Sequence, residues 1–106
     1  MSFYRNLSVI VIAFLMVGLF SIPIFAESVE DGIAAYVASN FQKAFKILEP
    51  FAIAGDPRAQ YHLGEMYYQG QGVSKNHDEA FKWFSKAAEQ GYNPAKFKVQ
   101  IMLKNK

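Results

Sequence analysis

Gln42–Gly55 (QKAFKILEPFAIAG) and Asp78–Gly91 (DEAFKWFSKAAEQG) are one amphipathic helix written twice, thirty-six residues apart. Five of the fourteen aligned positions are identical: Ala44 meets Ala80, Phe45 meets Phe81, Lys46 meets Lys82, Ala52 meets Ala88 and Gly55 meets Gly91. The same offset carries Ala59 onto Ala95, Leu63 onto Val99 and Met66 onto Met102. Self-similarity with a period in the thirties indicates stacked helical hairpins, in which each unit buries its apolar face only against its neighbours.

The segments around the repeat read as helices one by one. Pro57–Gln69 places Ala59, Leu63, Met66 and Tyr67 at helical spacing, with Asp56 as its cap and Pro57 in its first turn. His77–Gln90 gathers Ala80, Phe81, Phe84, Ala87 and Ala88 on one side and stops at Gly91. Asn93–Lys104 opens in the same style, Asn93 capping and Pro94 following. Upstream, Val29–Ala38 and Asn40–Ala54 form the first pair. Small residues (Ala44, Ala59, Gly64, Ala80, Ala88, Ala95) recur where helices must approach closely. The fold expected is all-α: a short α-solenoid of antiparallel helix hairpins, with about five helices after an N-terminal signal peptide.

Length and composition agree. The 106 residues allow one small domain and exclude a doubly wound nucleotide-binding fold or a barrel. A net charge of +2, with no Lys/Arg-rich run, gives no sign of nucleic-acid binding. The chain has no cysteine, so it carries neither disulfide staples nor a lipid attachment point.

Residues 1–26 differ in kind from the rest. Arg5 precedes nineteen uncharged residues, Leu7–Phe25, which carry a helix breaker (Pro23) near their end and are followed by a small residue (Ala26) before Glu27, Ser28, Glu30 and Asp31. That order matches a secretory signal peptide removed after Ala26. The remaining domain, 27–106, is then periplasmic or secreted. The alternative is an uncleaved inner-membrane anchor, because the run approaches the roughly 20 residues that span a bilayer.

The residues also point to a family. Ala59-x3-Leu63-Gly64-x2-Tyr67-x2-Gly70-x-Gly72-Val73, followed by Ala80-x2-Trp83-Phe84-x-Lys86-Ala87-Ala88-x-Gln90-Gly91-x3-Ala95, closely resembles a Sel-one-like repeat, a subclass of tetratricopeptide-like helical repeats. The Gly-x-Gly-Val loop is its mark. One complete unit covers about 56–91, with partial units on either side. Ile47 and Leu48 replace Trp83 and Phe84 in the earlier unit, and Asn76 stands where the family often has Asp. The resemblance implies a scaffold or adaptor for protein–protein contact, often in bacterial envelopes or at the endoplasmic reticulum, and no one activity.

A search for chemistry returns little. His62 and Glu65, three apart on one helix, lack a third ligand at a fixed spacing and read as two solvated side chains. His77 opens a helix and reads as a capping-region residue. Gly70-x-Gly72 has no preceding strand and no downstream lysine-plus-hydroxyl pattern, so it reads as a structural loop. A hydrolase of the β-lactamase type would need Ser-x-x-Lys. Ser39 is followed three residues later by Gln42 and Ser85 by Ala88, and no Gly-x-Ser-x-Gly or cysteine nucleophile exists. No enzymatic activity, cofactor or metal is expected.

The binding expectation rests on the first helix of each hairpin, which lines the concave side of such a stack. Tyr36, Arg58, Tyr61, Glu65, Tyr68, Phe97 and Ile101 lie outside the packing stripes of those helices and are the expected protein-binding residues. Tyrosine suits peptide recognition because it offers large area with few rotors to freeze. The partner is another protein or a peptide; a membrane enters only if residues 1–26 stay attached. The alternative is a structural subunit that assembles, with itself or another helical protein, through an uncapped C-terminal helix. One end is acidic (Glu27, Glu30, Asp31) and the other basic (Lys96, Lys98, Lys104, Lys106).

Overall fold

The computed structural model describes residues 26–106, so the signal-peptide expectation falls on residues outside the described part. Five helices follow one another: α1 (Val29–Val37), α2 (Phe41–Ile53), α3 (Pro57–Gln69), α4 (His77–Glu89) and α5 (Asn93–Lys104). No strand occurs among the described residues. Each helix packs on the next, and α1 also touches α3 directly. This is the stacked-hairpin solenoid that the repeat predicts.

Local chemistry fixes the ends. Ser28 and Asp31 form a reciprocal capping box on α1. The Asp56 carboxylate accepts from the backbone N–H groups of Arg58 and Ala59, and Pro57 occupies the first turn of α3. Asn76 caps α4 by accepting from the N–H of Glu79. At α5 the expectation fails: Tyr92 takes the cap position and Asn93 is already helical, with no side-chain cap bond. The helix starts one residue early because the Tyr92 carbonyl already accepts from the N–H groups of Ala95 and Lys96. Pro50 sits on an exposed face inside α2, and the helix runs past it to Ile53.

The long α3–α4 loop is held by two left-handed glycines. Gly70 (φ 73°) ends α3, and Gly72 (φ 74°) lies so close to α2 that a β-carbon would meet the Phe41 carbonyl at 2.8 Å. Val73 turns back and packs against the core. The shorter α1–α2 turn instead places Ser39 at φ 62°.

Leu48, Leu63, Met66 and Phe84 are completely buried, and Ala44, Ala59, Ala80, Ala87 and Ala95 fill the close crossings. Each large side chain contributes roughly 1.5–3 kcal/mol. Phe81 and Ala88 of the expected α4 stripe are only half-buried, whereas Trp83 is buried beneath the ammonium groups of Lys82 and Lys86, 5.3 and 4.8 Å from its ring. Gln60 is buried as well. Its side chain donates to the Ala52 carbonyl at 3.1 Å and accepts from Gln90 at 2.9 Å, while Gln90 also donates to the Gly55 carbonyl at 2.8 Å. This amide chain ties the turn after α2 to α3 and to the end of α4.

Candidate functional site: the face of α1, α3 and α5

The first helices of the successive hairpins share one face, and aromatic rings run along it. Tyr36 on α1 meets His62 on α3 at 4.9 Å between ring centroids. Tyr61 lies 5.4 Å from His62, 5.7 Å from Phe84 and 5.5 Å from Tyr92. Tyr68 stacks on His77 at 4.7 Å with an interplanar angle of 12°. Burial, reinforced by the nearby Glu65 carboxylate, pushes the phenols of Tyr36 and Tyr61 above their ordinary range. Both therefore keep their protons and remain hydrogen-bond donors at neutral pH.

Ion pairs stitch the same face. Arg58 bridges two elements, reaching Glu30 of α1 at 2.7 Å and Asp56 at 3.2 Å. Glu65, buried apart from 9% of its side chain, meets Lys98 of α5 at 2.7 Å. Lys98 also lies 5.8 Å over the Tyr68 ring, and Gln69 donates to Glu65 at 3.4 Å. The charges on this face are thus engaged in ion pairs with one another, and what it offers a partner is aromatic surface and phenol donors.

The expectation that His62 and Glu65 are solvated is overturned. On an isolated helix both would face water, but α1 closes over His62 and α5 over Glu65. Burial lowers the His62 pKa from its ordinary value, only partly opposed by Glu65. His62 Nδ1 is buried with no hydrogen-bond partner.

Of the seven residues expected from sequence, Tyr36, Arg58, Tyr61, Glu65 and Tyr68 lie along α1 and α3 on this face. Phe97 is 62% exposed and Ile101 half-exposed, both on α5. It is Lys98, not Phe97, that ties α5 to Glu65. His62, read as solvated, and Lys98, read only as part of a basic end, were not among the seven, and neither was Tyr92. The missed signal is register: Lys98 stands thirty-six residues after His62, the repeat offset itself. Among the described residues no three His, Asp or Glu side chains converge to hold a metal ion. No described helix is long and apolar enough to cross a membrane.

Comparison with known proteins agrees with this geometry. The Sel1 repeat family profile matches residues 27–56 and 57–92. A sel1-like repeat-containing protein of Acanthamoeba polyphaga mimivirus is 51% identical over 39 residues, which are 37% of this chain and 7% of that protein. DAP3-binding cell death enhancer 1 of Rattus norvegicus is 38% identical over 61 residues, 58% of this chain and 12% of its own length. The crystal structure of a Sel1 repeat protein from Oxalobacter formigenes superposes with a TM-score of 0.65 at 36% identity, covering 71% of this chain and 31% of that one. The chain spans about a tenth of the length of these curated relatives. With the repeat profile spanning more than half of the chain and a solved repeat structure sharing its fold, the chain belongs to the Sel1 repeat family.

Proposed function

We propose that the protein is exported, is cut after Ala26, and acts outside the cytoplasm as a protein–protein interaction adaptor. It holds a peptide or protein segment along the face of α1, α3 and α5 by complementary burial, with no turnover. The observation that carries this reading is the ring series Tyr36, His62, Tyr61 and Tyr92, set beside these ion pairs. Such a surface is rigid and partly apolar before any partner arrives, so little entropy is lost on binding. Membership of a repeat family with a relative named for the protein it binds supports the same reading.

Two measurements test it. A photo-crosslinking residue at Gln69, exposed on α3, is expected to capture a partner in cells, whereas one at Ile53, exposed on the outer helix α2, captures none. Equal capture at both positions overturns the assignment to this face. An intact mass beginning at Glu27 supports export with cleavage. A mass retaining residue 1 or 2 in the membrane pellet overturns cleavage and makes the protein an anchored one.

A further inference from the structure

The two outer faces of the stack depart from its middle with opposite charge. Gly32 and Gly64 hold the same place in their hairpins, since a β-carbon at Gly32 would strike Leu48 and one at Gly64 would strike Phe84. Alignment on that pair sets Glu27, Asp31 and Ala34 of the α1 region against Ala59, Leu63 and Met66 of α3. The α3 residues are fully buried beneath the preceding hairpin. Their counterparts instead line an open cleft of about 360 Å³ between α1 and α2, together with Ala38, Asn40 and Lys43. The carboxylates of Glu27 and Asp31 stand there beside the cation Lys43, and the alanines leave a floor without bulk.

At the other end, the thirty-six-residue offset sets Phe97, Gln100 and Lys104 of α5 against Tyr61, Gly64 and Tyr68 of α3. Those α3 residues meet Phe84 of the following helix. On α5 the three face solvent, with Lys96 beside them and half-exposed Ile101 one turn beyond Phe97. After Glu89 the sequence has four lysines and no acid; among the described residues Lys98 is the one paired with a carboxylate, that of Glu65.

We propose that the α5 face of one copy docks in the α1–α2 cleft of a second copy, continuing the stack head to tail. Phe97 and Ile101 supply the bulk that Ala34 and Ala38 lack, and Lys96 and Lys104 meet Glu27 and Asp31. The contact uses none of the rings Tyr36, His62, Tyr61 and Tyr92, and the cleft that receives it is lined by other residues. The two patches differ, so the contact is heterologous and does not close on itself. Mass then grows progressively with concentration, and the charge contribution fades with salt.

Sedimentation of the chain beginning at Glu27, from micromolar to millimolar concentration, tests this. Average mass is expected to rise with concentration and to fall back in about 0.5 M salt, where screening reaches a few ångströms. Lys96→Glu with Lys104→Glu, and separately Glu27→Lys with Ala34→Lys, are each expected to weaken self-association about tenfold or more through like-charge contact. Asp31 is left alone because it caps α1. An equimolar mixture of the two variants is expected to restore association. A monomer at every concentration, a variant that associates like the parent, or a mixture no stronger than its components overturns the proposal. So does a monomer that anionic phospholipid vesicles remove from solution, which assigns the α5 face to a membrane. Should a charge variant fail to fold, the chain's lack of cysteine offers a second route. Ala34→Cys with Gln100→Cys is expected to oxidise into a ladder of multimers, each single variant giving dimers at most. A double variant that stops at dimers overturns the head-to-tail geometry.

Discussion

Gly64 lies flat against the ring of Phe84: a β-carbon at Gly64 would come within 2.7 Å of ring atoms Cδ1 and Cε1. Phe84 is completely buried, and protein interiors leave few voids for a ring to move into. Intrinsic propensity alone favours alanine over glycine in a helix by about 1 kcal/mol. Overpacking is expected to win, so that Gly64→Ala lowers stability by about 2 kcal/mol in urea unfolding. Gly32→Ala is expected to lose less, because the atoms it meets belong to Leu48, whose branched end turns more readily than a ring. A neutral or stabilising Gly64→Ala would show that the hairpin is looser than this contact requires.

The Glu65–Lys98 pair joins α3 to α5 in a place where water reaches little of the carboxylate. Removing Lys98 strands a buried charge, whereas removing both members leaves none. Lys98→Met is expected to cost about 2 kcal/mol, with at least half regained when Glu65→Gln is added. The double-mutant cycle measures that coupling. Additive losses would mean that Glu65 is hydrated and the pair is a surface ornament.

His62 supplies a pH dependence whose sign follows from its burial. Its folded-state pKa lies below the ordinary 6.5 because burial disfavours the imidazolium, with Glu65 opposing. Above 6.5 both folded and unfolded chains hold neutral imidazole and nothing is lost. As pH falls through 6.5, the unfolded chain takes up the proton first, so stability declines until the folded-state pKa is passed. The groups facing the ring are Tyr36 from α1, and Tyr61 and Glu65 from α3, with Lys98 of α5 behind Glu65. An NMR titration is expected to place the His62 inflection below 6.5, and His62→Gln is expected to flatten the stability profile just under that pH. An inflection at or above 6.5 would show that Glu65 dominates.

The repeat made most of the fold legible. Positions separated by thirty-six residues carry the same packing roles, so Ala44, Leu63, Met66, Phe84 and Ala95 can be placed in the core from periodicity alone. The face of α1, α3 and α5 was legible for its tyrosines and not for its polar members. Periodicity assigns a polar residue to solvent, but His62, Glu65 and Gln60 are covered by helices that are distant in sequence or in register. The start of α5 was misplaced for a local reason. Asn-Pro looks the same whether Asn is the cap or the first helical residue, and the Tyr92 carbonyl decided it.

Gln90 shows how a polar residue at the end of one hairpin holds the next in register. Its amide nitrogen donates to both the Gly55 carbonyl and the Gln60 side-chain oxygen. Gln90→Ala removes both bonds and leaves Gln60 Oε1 without its donor, an expected loss of about 1 kcal/mol. Gln90→Glu has nearly the same shape, yet at neutral pH it sets an acceptor against two acceptors. It is therefore expected to cost more than alanine, about 2 kcal/mol. Below the carboxyl pKa the side chain regains an O–H donor, so Gln90→Glu is expected to recover relative to Gln90→Ala as pH falls through about 4. Urea unfolding at pH 7 and pH 3.5 measures the difference. If the two variants keep the same rank at both pH values, the amide chain is not what ties α4 to the turn after α2.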